Sequence, residues 1–203
     1  SIDGYLRLGL DQFGIGGDFA GNRPLISPQA YREFIVPEVR KLSRRIHEAG
    51  GWAVNASDGD LWPVIDDFLI GCEVDGYLEI DMHAGMDLRR LKEVYGNRIT
   101  FYGDMDCGTI LSFASPADVR RVTHEILEAG AGAGGHIFCA SNAITASVPL
   151  GNYIAMVDAY REVRRSTEHA LQRQAGILNG LVRRHTEQHH VRIVLAEQCG
   201  EPR

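Results

Sequence analysis

The sequence predicts an α/β fold with a wound parallel sheet, on three observations. Five apolar segments of strand length recur, a helical pattern follows each, and the spans between them are long enough for helical crossovers. Strictly alternating βα units put the strands parallel, and the crossover rule winds them in one hand. The residues alone leave two architectures open, an open doubly wound sheet and part of a (β/α)8 barrel.

The first strand is read over 3–10, "DGYLRLGL", leading through a Gly-rich loop to "SPQAYREFIVPEVRKLSRRIHEAGG". There Ser27 can cap a helix and Pro28 occupies its first position, where a missing N–H is harmless. Tyr31, Phe34, Ile35, Val39 and Leu42 form an apolar stripe, Pro37 is expected to kink the helix, and Gly50-Gly51 stop it. The second strand is "WAVNAS" (52–57), with its helix in "LWPVIDDFLIGC". The third is "VDGYLEI" (74–80), followed by "MDLRRLKEVYG", which ends at Gly96. The fourth is "RITFYG" (98–103); its helix opens at Ser115, with Pro116 first and Asp118 in the first turn. The fifth is "GHIFCAS" (135–141), leading to "NYIAMVDAYREV".

Composition narrows the class. The 203 residues suffice for one domain with a real core, and 44% hydrophobic with 24% charged residues describes a globular chain. Twenty-one basic against 27 acidic residues give −6, with no Lys/Arg stripe in the body, so nucleic acid is not an expected partner. No apolar stretch approaches the roughly 18 residues of a membrane helix, and the start lacks a signal-peptide pattern, so no membrane partner is expected and a cytoplasmic location is. Cys72, Cys107, Cys139 and Cys199 lie far apart and read as isolated thiols rather than a disulfide frame. "GAGAGG" (130–135) satisfies G-x-G-x-x-G but follows a helix and precedes a strand. A dinucleotide site needs the reverse order, so this is a helix stop and a tight turn.

In a parallel α/β fold the site is built at the carboxyl ends of the strands. Read in order, those ends carry Asp11 and Asp18, then Asn55, Ser57, Asp58 and Asp60, then Glu79, Asp81 and His83, then Asp104 and Asp106, then Ser141 and Asn142. The opposite ends carry mostly Gly and ordinary charges. Along "WAVNAS" the side chains alternate, and the set Ala53, Asn55 and Ser57 is assigned to the barrel interior. Glu79 and Asp81 flank Ile80 and are expected to project to one side. His83 is the only imidazole near these ends, and a lone loop histidine is ordinarily just exposed. The acidic residues could hold a hard cation, but nothing fixes a geometry for one.

"LISPQAYREFIVPEV", "NASDGDLWPVIDDFLIGCEVDGYLEID", "GMDLRRLKEVYGNRITFYGDMD" and "GGHIFCASNAITASVPLGNYIAMVDAYREV" together resemble the uroporphyrinogen decarboxylase superfamily. The matching blocks are S-P-x-x-[FY], the strand-ending D-G, M-D-L-x-x-[LV]-K-x-x-Y-G with its G-x-x-D, and G-G-H-I with its P-x-x-N. The resemblance implies a (β/α)8 TIM barrel of which this chain holds about the last five βα units, over residues 1–163. Residues 164–203 are read as an appended helix and basic tail.

The superfamily contains cofactor-free decarboxylases of uroporphyrinogen and zinc-dependent methyltransferases acting with methylated corrinoids. Its methyltransferases carry a His-x-Cys pair where this chain has Asn55-x-Ser57, and a Cys where it has Asn142, so no metal and no cofactor is expected. The decarboxylases carry a functional histidine at the position of Asn142. The expected activity is a decarboxylase-like lyase on a tetrapyrrole-type or related carboxylated small molecule. Asp58, Asp106 and Asp18 are its catalytic candidates, and Asn55, Ser57, Glu79, Asp81 and Asn142 the substrate-binding ones. The alternatives are a corrinoid-dependent methyltransferase-like protein that has lost its zinc ligands, or a non-catalytic half-barrel needing a partner chain. Open sheet edges invite pairing, so a homo-oligomer or a complementing N-terminal segment is the expected partner.

Overall fold

A computed structural model describes residues 2–21, 23–132, 134–167 and 172. Five strands form one parallel sheet: β1 (Gln12–Gly16), β2 (Trp52–Ala56), β3 (Gly76–Leu78), β4 (Thr100–Met105) and β5 (His136–Ala140). Their spatial order is their sequence order. A doubly wound sheet reverses direction at a switch point; this one never does. Of the two architectures left open, the sheet is therefore part of a (β/α)8 barrel.

The chain divides into two compact units, residues 1–160 and 161–203. Of the second, the described residues are 161–167, which are helical, and 172. The expected basic tail and Cys199 lie outside the described residues.

One strand assignment is overturned. Residues of "DGYLRLGL" begin with a short helix, α1 (Ile2–Leu6), and β1 lies beyond it, in the stretch read as a Gly-rich loop. The glycines diluted the apolar pattern, leaving only Phe13 and Ile15 to carry the alternation. Gly16 sits where an added Cβ would already touch the Ala56 side chain at 3.4 Å. Asp11 consequently precedes β1 rather than following it, and its carbonyl accepts from the Trp52 N–H at 2.7 Å.

The crossovers follow local chemistry closely. Ser27 Oγ accepts from the Ala30 N–H at 3.1 Å and opens α2 (Pro28–Ala30). A π-helical stretch, Tyr31–Ile35, then hands over to α3 (Val36–Glu48) beside Pro37, and Gly50, at φ +79°, helps end it. The segment after β2 is wound irregularly, 3-10 at Trp62–Val64 and π at Asp67–Gly71, not as one regular helix. Asp87 caps α4 (Leu88–Tyr95) through the N–H groups of Arg89 and Arg90. A short α5 (Ile110–Phe113) precedes α6 (Pro116–Gly130), which Ser115 caps as its sequence predicts. Helix α7 opens at residue 150, and the buried Asn152 of the P-x-x-N block donates to the carbonyls of Leu111 and Ala114, both at 2.9 Å. The "GAGAGG" stretch is the link between α6 and β5, with Gly134 packed on the Gly96 backbone where a side chain would not fit.

The strand register decides which side chains share a face. Ile15 pairs with Asn55, Asn55 with Tyr77, and Tyr77 with Phe101, so these four face the helices. There Tyr31, Phe68, Tyr77, Phe101, Leu91 and Leu111 are fully buried. Phe68 meets Tyr77 edge-on, with ring centroids 5.1 Å apart. Burying each of these large side chains is worth about 1.5–3 kcal/mol. The inner face carries Gln12, Trp52, Val54, Thr100, Tyr102 and Ile137, lining an open hollow of about 260 Å³.

Candidate active site

The assignment of β2's faces is the reverse of the one expected. Trp52 and Val54 line the inner hollow, while Ala53 belongs to the helix-side core. Asn55 is buried among the helices and donates to the Phe68 carbonyl at 3.2 Å, which satisfies its amide far from any mouth. Alternation separates two sets of residues but does not say which set faces inward. Ser57 is also fully buried, its hydroxyl donating to the Asp58 carbonyl at 3.0 Å and its carbonyl accepting from Tyr77 Oη. As placed here, neither Asn55 nor Ser57 points into the mouth as a substrate contact.

Asp58 is brought to the mouth by the glycine beside it. Gly59 has φ +91°, and a Cβ there would come within 2.7 Å of the Ala20 and Gly21 backbone. Only glycine permits that approach. The loop after β1 therefore lies against the end of β2, tied further by the Asp60 N–H to the Gly21 carbonyl at 2.8 Å. That loop carries Asp18.

Glu79 joins them by an unusual backbone. It stands at φ +73°, in the left-handed region that non-glycine residues rarely occupy. β3 ends one residue earlier, so strand alternation does not set the directions of Glu79 and Asp81. One oxygen from each of Asp18, Asp58 and Glu79 can be chosen so that all lie within 4.8 Å of one another. Burial raises the Asp58 carboxyl above its ordinary range, opposed by the hydrogen bond from Asn142 and reinforced by Asp18 and Asp81. Burial likewise raises Glu79, with Asp58 and Asp18 adding to it. Like charges crowded in a partly dry place favour keeping a proton. Asn142 closes the group from the end of β5, its Nδ2 donating to Asp58 Oδ2 at 2.8 Å across 84 positions of sequence.

Asp81 and Asp106 have other work. Asp81 Oδ1 accepts from the N–H groups of His83 and Ala84 at 3.0 and 3.1 Å, while its Oδ2 accepts from Gly59 at 3.2 Å. It fixes the loop after β3 against the loop after β2. Asp106 accepts from the backbone N–H groups of Gly108, Thr109 and Ile110 at 3.1, 2.7 and 2.6 Å. Burial pushes its carboxyl up, but the Ile110 N–H, the His83 imidazole and the Thr109 N–H outweigh burial and hold it below the ordinary range. Asp104, read as a loop residue, is instead buried within β4, which starts and ends two residues later than expected. One of its oxygens has no partner, and burial pushes its carboxyl up to about 6.

The zinc of the methyltransferases does not fit. Asn55 is committed to Phe68 and Ser57 to its own loop, and Asn142 offers an amide already bonded to Asp58. No thiolate or imidazole stands at these positions, whereas zinc sites are built from such ligands. Asp18, Asp58 and Glu79 offer only carboxylate oxygens, a donor set suited to a hard cation.

A parallel barrel sheet whose carboxyl-end loops converge on an acidic mouth defines a (β/α)8-type fold, with its candidate site at the carboxyl ends of the strands. The chain belongs to the uroporphyrinogen decarboxylase (URO-D) family, whose model matches residues 17–163. No curated protein matches it. Among solved structures, a methyltransferase from Methanosarcina mazei shares the fold, with a TM-score of 0.65 and 22% identity. The match covers 78% of this chain and 44% of that one, so the chain spans less than half the length of this structural relative. No helix among the described residues is long and apolar enough to cross a membrane.

Proposed function

We propose that this chain supplies the acidic mouth of a decarboxylase-type site for a carboxylated, tetrapyrrole-type substrate. The observation that carries the reading is the Asp18–Asp58–Glu79 cluster, in which crowding and partial burial favour a retained proton. Loss of carbon dioxide from a pyrrole acetate begins with a proton added to the ring carbon. The carbon–carbon bond electrons then neutralise the resulting cation as the carboxylate leaves. A carboxyl that holds its proton more tightly than usual can deliver it, and neighbouring carboxylates stabilise the cationic ring. The same carboxylates repel the substrate's own carboxylates, so its anion-binding groups come from elsewhere in the barrel.

The test is carbon dioxide release from uroporphyrinogen by the protein, with Asp58→Asn alongside. Turnover that falls by about 10²-fold or more in the variant supports the reading. If uroporphyrinogen is neither bound nor decarboxylated, the reading is wrong, and corrinoid-dependent methyl transfer is the reaction to assay next.

The partner reading rests on the sheet. β1 and β5 each have one edge unpaired within it, and the inner face exposes Trp52 and Ile137. We propose that further βα units cover this face, from the same polypeptide or a second chain. Sedimentation velocity distinguishes a self-associating chain from a monomer that binds an added segment.

A further inference from the structure

We propose that His83 and Asp106 form a proton-transfer dyad at the mouth, His83 exchanging the proton with substrate and Asp106 holding the imidazole in place. His83 Nε2 lies 3.0 Å from Asp106 Oδ2, although 23 positions separate the residues. The two ends differ in the way a dyad requires. The Asp106 side chain is 8% exposed and anchored by three backbone N–H groups, whereas the His83 side chain is 53% exposed. A carboxylate that already accepts three hydrogen bonds is fixed in position and stays ionised. With this carboxylate 3.0 Å from Nε2, the tautomer that carries its proton on Nε2 is the favoured one. With the proton on Nε2, the lone pair of Nδ1 is the free one, and no described residue bonds to it.

His83 is itself pinned. It lies in the 3-10 turn Met82–Ala84, and the carboxylate that caps this turn, Asp81, also holds Gly59, the neighbour of Asp58. One side chain thus couples the loop of the dyad to the loop of the acidic cluster. The charged groups set against His83 are Asp106 from the β4 loop and Asp81 from its own turn. Asp106, expected to be catalytic, becomes a positioning residue, and the reacting group is the histidine.

The inference rests on the decarboxylase reading only for the identity of the proton. After carbon dioxide leaves and the exocyclic methylene is protonated, the ring carbon still bears the proton it received. His83 Nδ1 takes that proton: the C–H bond breaks, its electron pair re-enters the ring, and an N–H bond forms. The imidazolium lies beside the ionised Asp106, and it returns its proton to solvent through its exposed edge.

Nitrogen NMR of the histidine ring tests the geometry without any substrate. The expected result is a single Nε2–H tautomer for His83 in the wild-type protein, and tautomer exchange typical of a free imidazole in Asp106→Asn. A wild-type His83 that already exchanges tautomers, or that protonates Nδ1, overturns the dyad even if the decarboxylase reading stands. Turnover tests the role. His83→Gln, at an exposed position where folding is little at risk, should lower kcat for uroporphyrinogen by about 10²-fold with KM nearly unchanged, and added imidazole should restore part of it. An unchanged kcat overturns the role. If the wild-type protein decarboxylates nothing, the functional reading fails first, and the NMR result still decides the dyad.

Discussion

The two faces of the sheet have met different fates. On the helix side Tyr77, Phe101 and Phe68 are buried to 1% exposure or less, packed ring against ring. On the inner side Trp52 remains 60% exposed and Ile137 46%, around a hollow that Val54, Thr100 and Tyr102 also line. The difference teaches where a βα unit finds its partners. Each strand's outer face is covered by helices that its own crossovers deliver, within a few dozen residues. An inner face is covered only by strands from the far side of a closed barrel. Five units in sequence therefore complete one core and leave the other open.

The sharpest way to break that comparison is to truncate one large side chain on each face. Phe68→Ala should cost about 3–5 kcal/mol, the usual price of a cavity under an aromatic ring. Trp52→Ala should cost less than about 1 kcal/mol, because solvent already reaches that ring. Urea unfolding of both variants measures the pair. A Trp52→Ala loss comparable to that of Phe68→Ala would mean that the inner face is covered in solution.

A smaller effect is expected from the flaw in the outer core. Asp104 sits against Val122, Ile126 and Ala129 of α6 with one oxygen unpartnered, its carboxyl raised from 3.8 to about 6. A raised carboxyl favours the folded state fully below the unfolded value and loses that advantage as pH climbs through the folded one. The penalty is therefore absent near pH 4 and complete above about pH 7, where it is on the order of 2–3 kcal/mol. Asp104→Asn should stabilise the protein at pH 7.5 by a little less, since an amide there still lacks one partner. The gain should vanish by about pH 4, as melting temperatures across that range would show. A variant no more stable than wild type at pH 7.5 would mean that Asp104 has a partner in solution.

The smallest effect belongs to the outer surface of the helical layer. Arg32 grips Asp67 with three hydrogen bonds of 2.8 to 3.2 Å, but the guanidinium is in water. Arg32→Ala should have little effect on stability, and less still in high salt. A larger loss in a thermal melt would show that this pair contributes to the core beneath it.

Much of this molecule was legible in its residues because neighbours in sequence settle it. Ser27, Ser115 and Gly50 start and stop helices through bonds a few positions long, and four of the five strands follow from local pattern. The convergence of Asp18, Asp58, Glu79 and Asn142 was legible too, since every parallel sheet gathers its carboxyl-end loops. Tertiary structure decided the rest. Alternation in β2 defined two sets of side chains, but only the arrival of Phe68 and Tyr77 turned Asn55 toward the helices. β1 was hidden because two of its five residues are glycine, one of which, Gly16, packs on Ala56 of a neighbouring strand. The left-handed backbone at Glu79, the orphaned oxygen of Asp104 and the reach of His83 to Asp106 likewise depend on distant segments. A local pattern records what each residue asks of its neighbours, whereas a face, a strained turn or a charge pair exists only once distant segments are packed together.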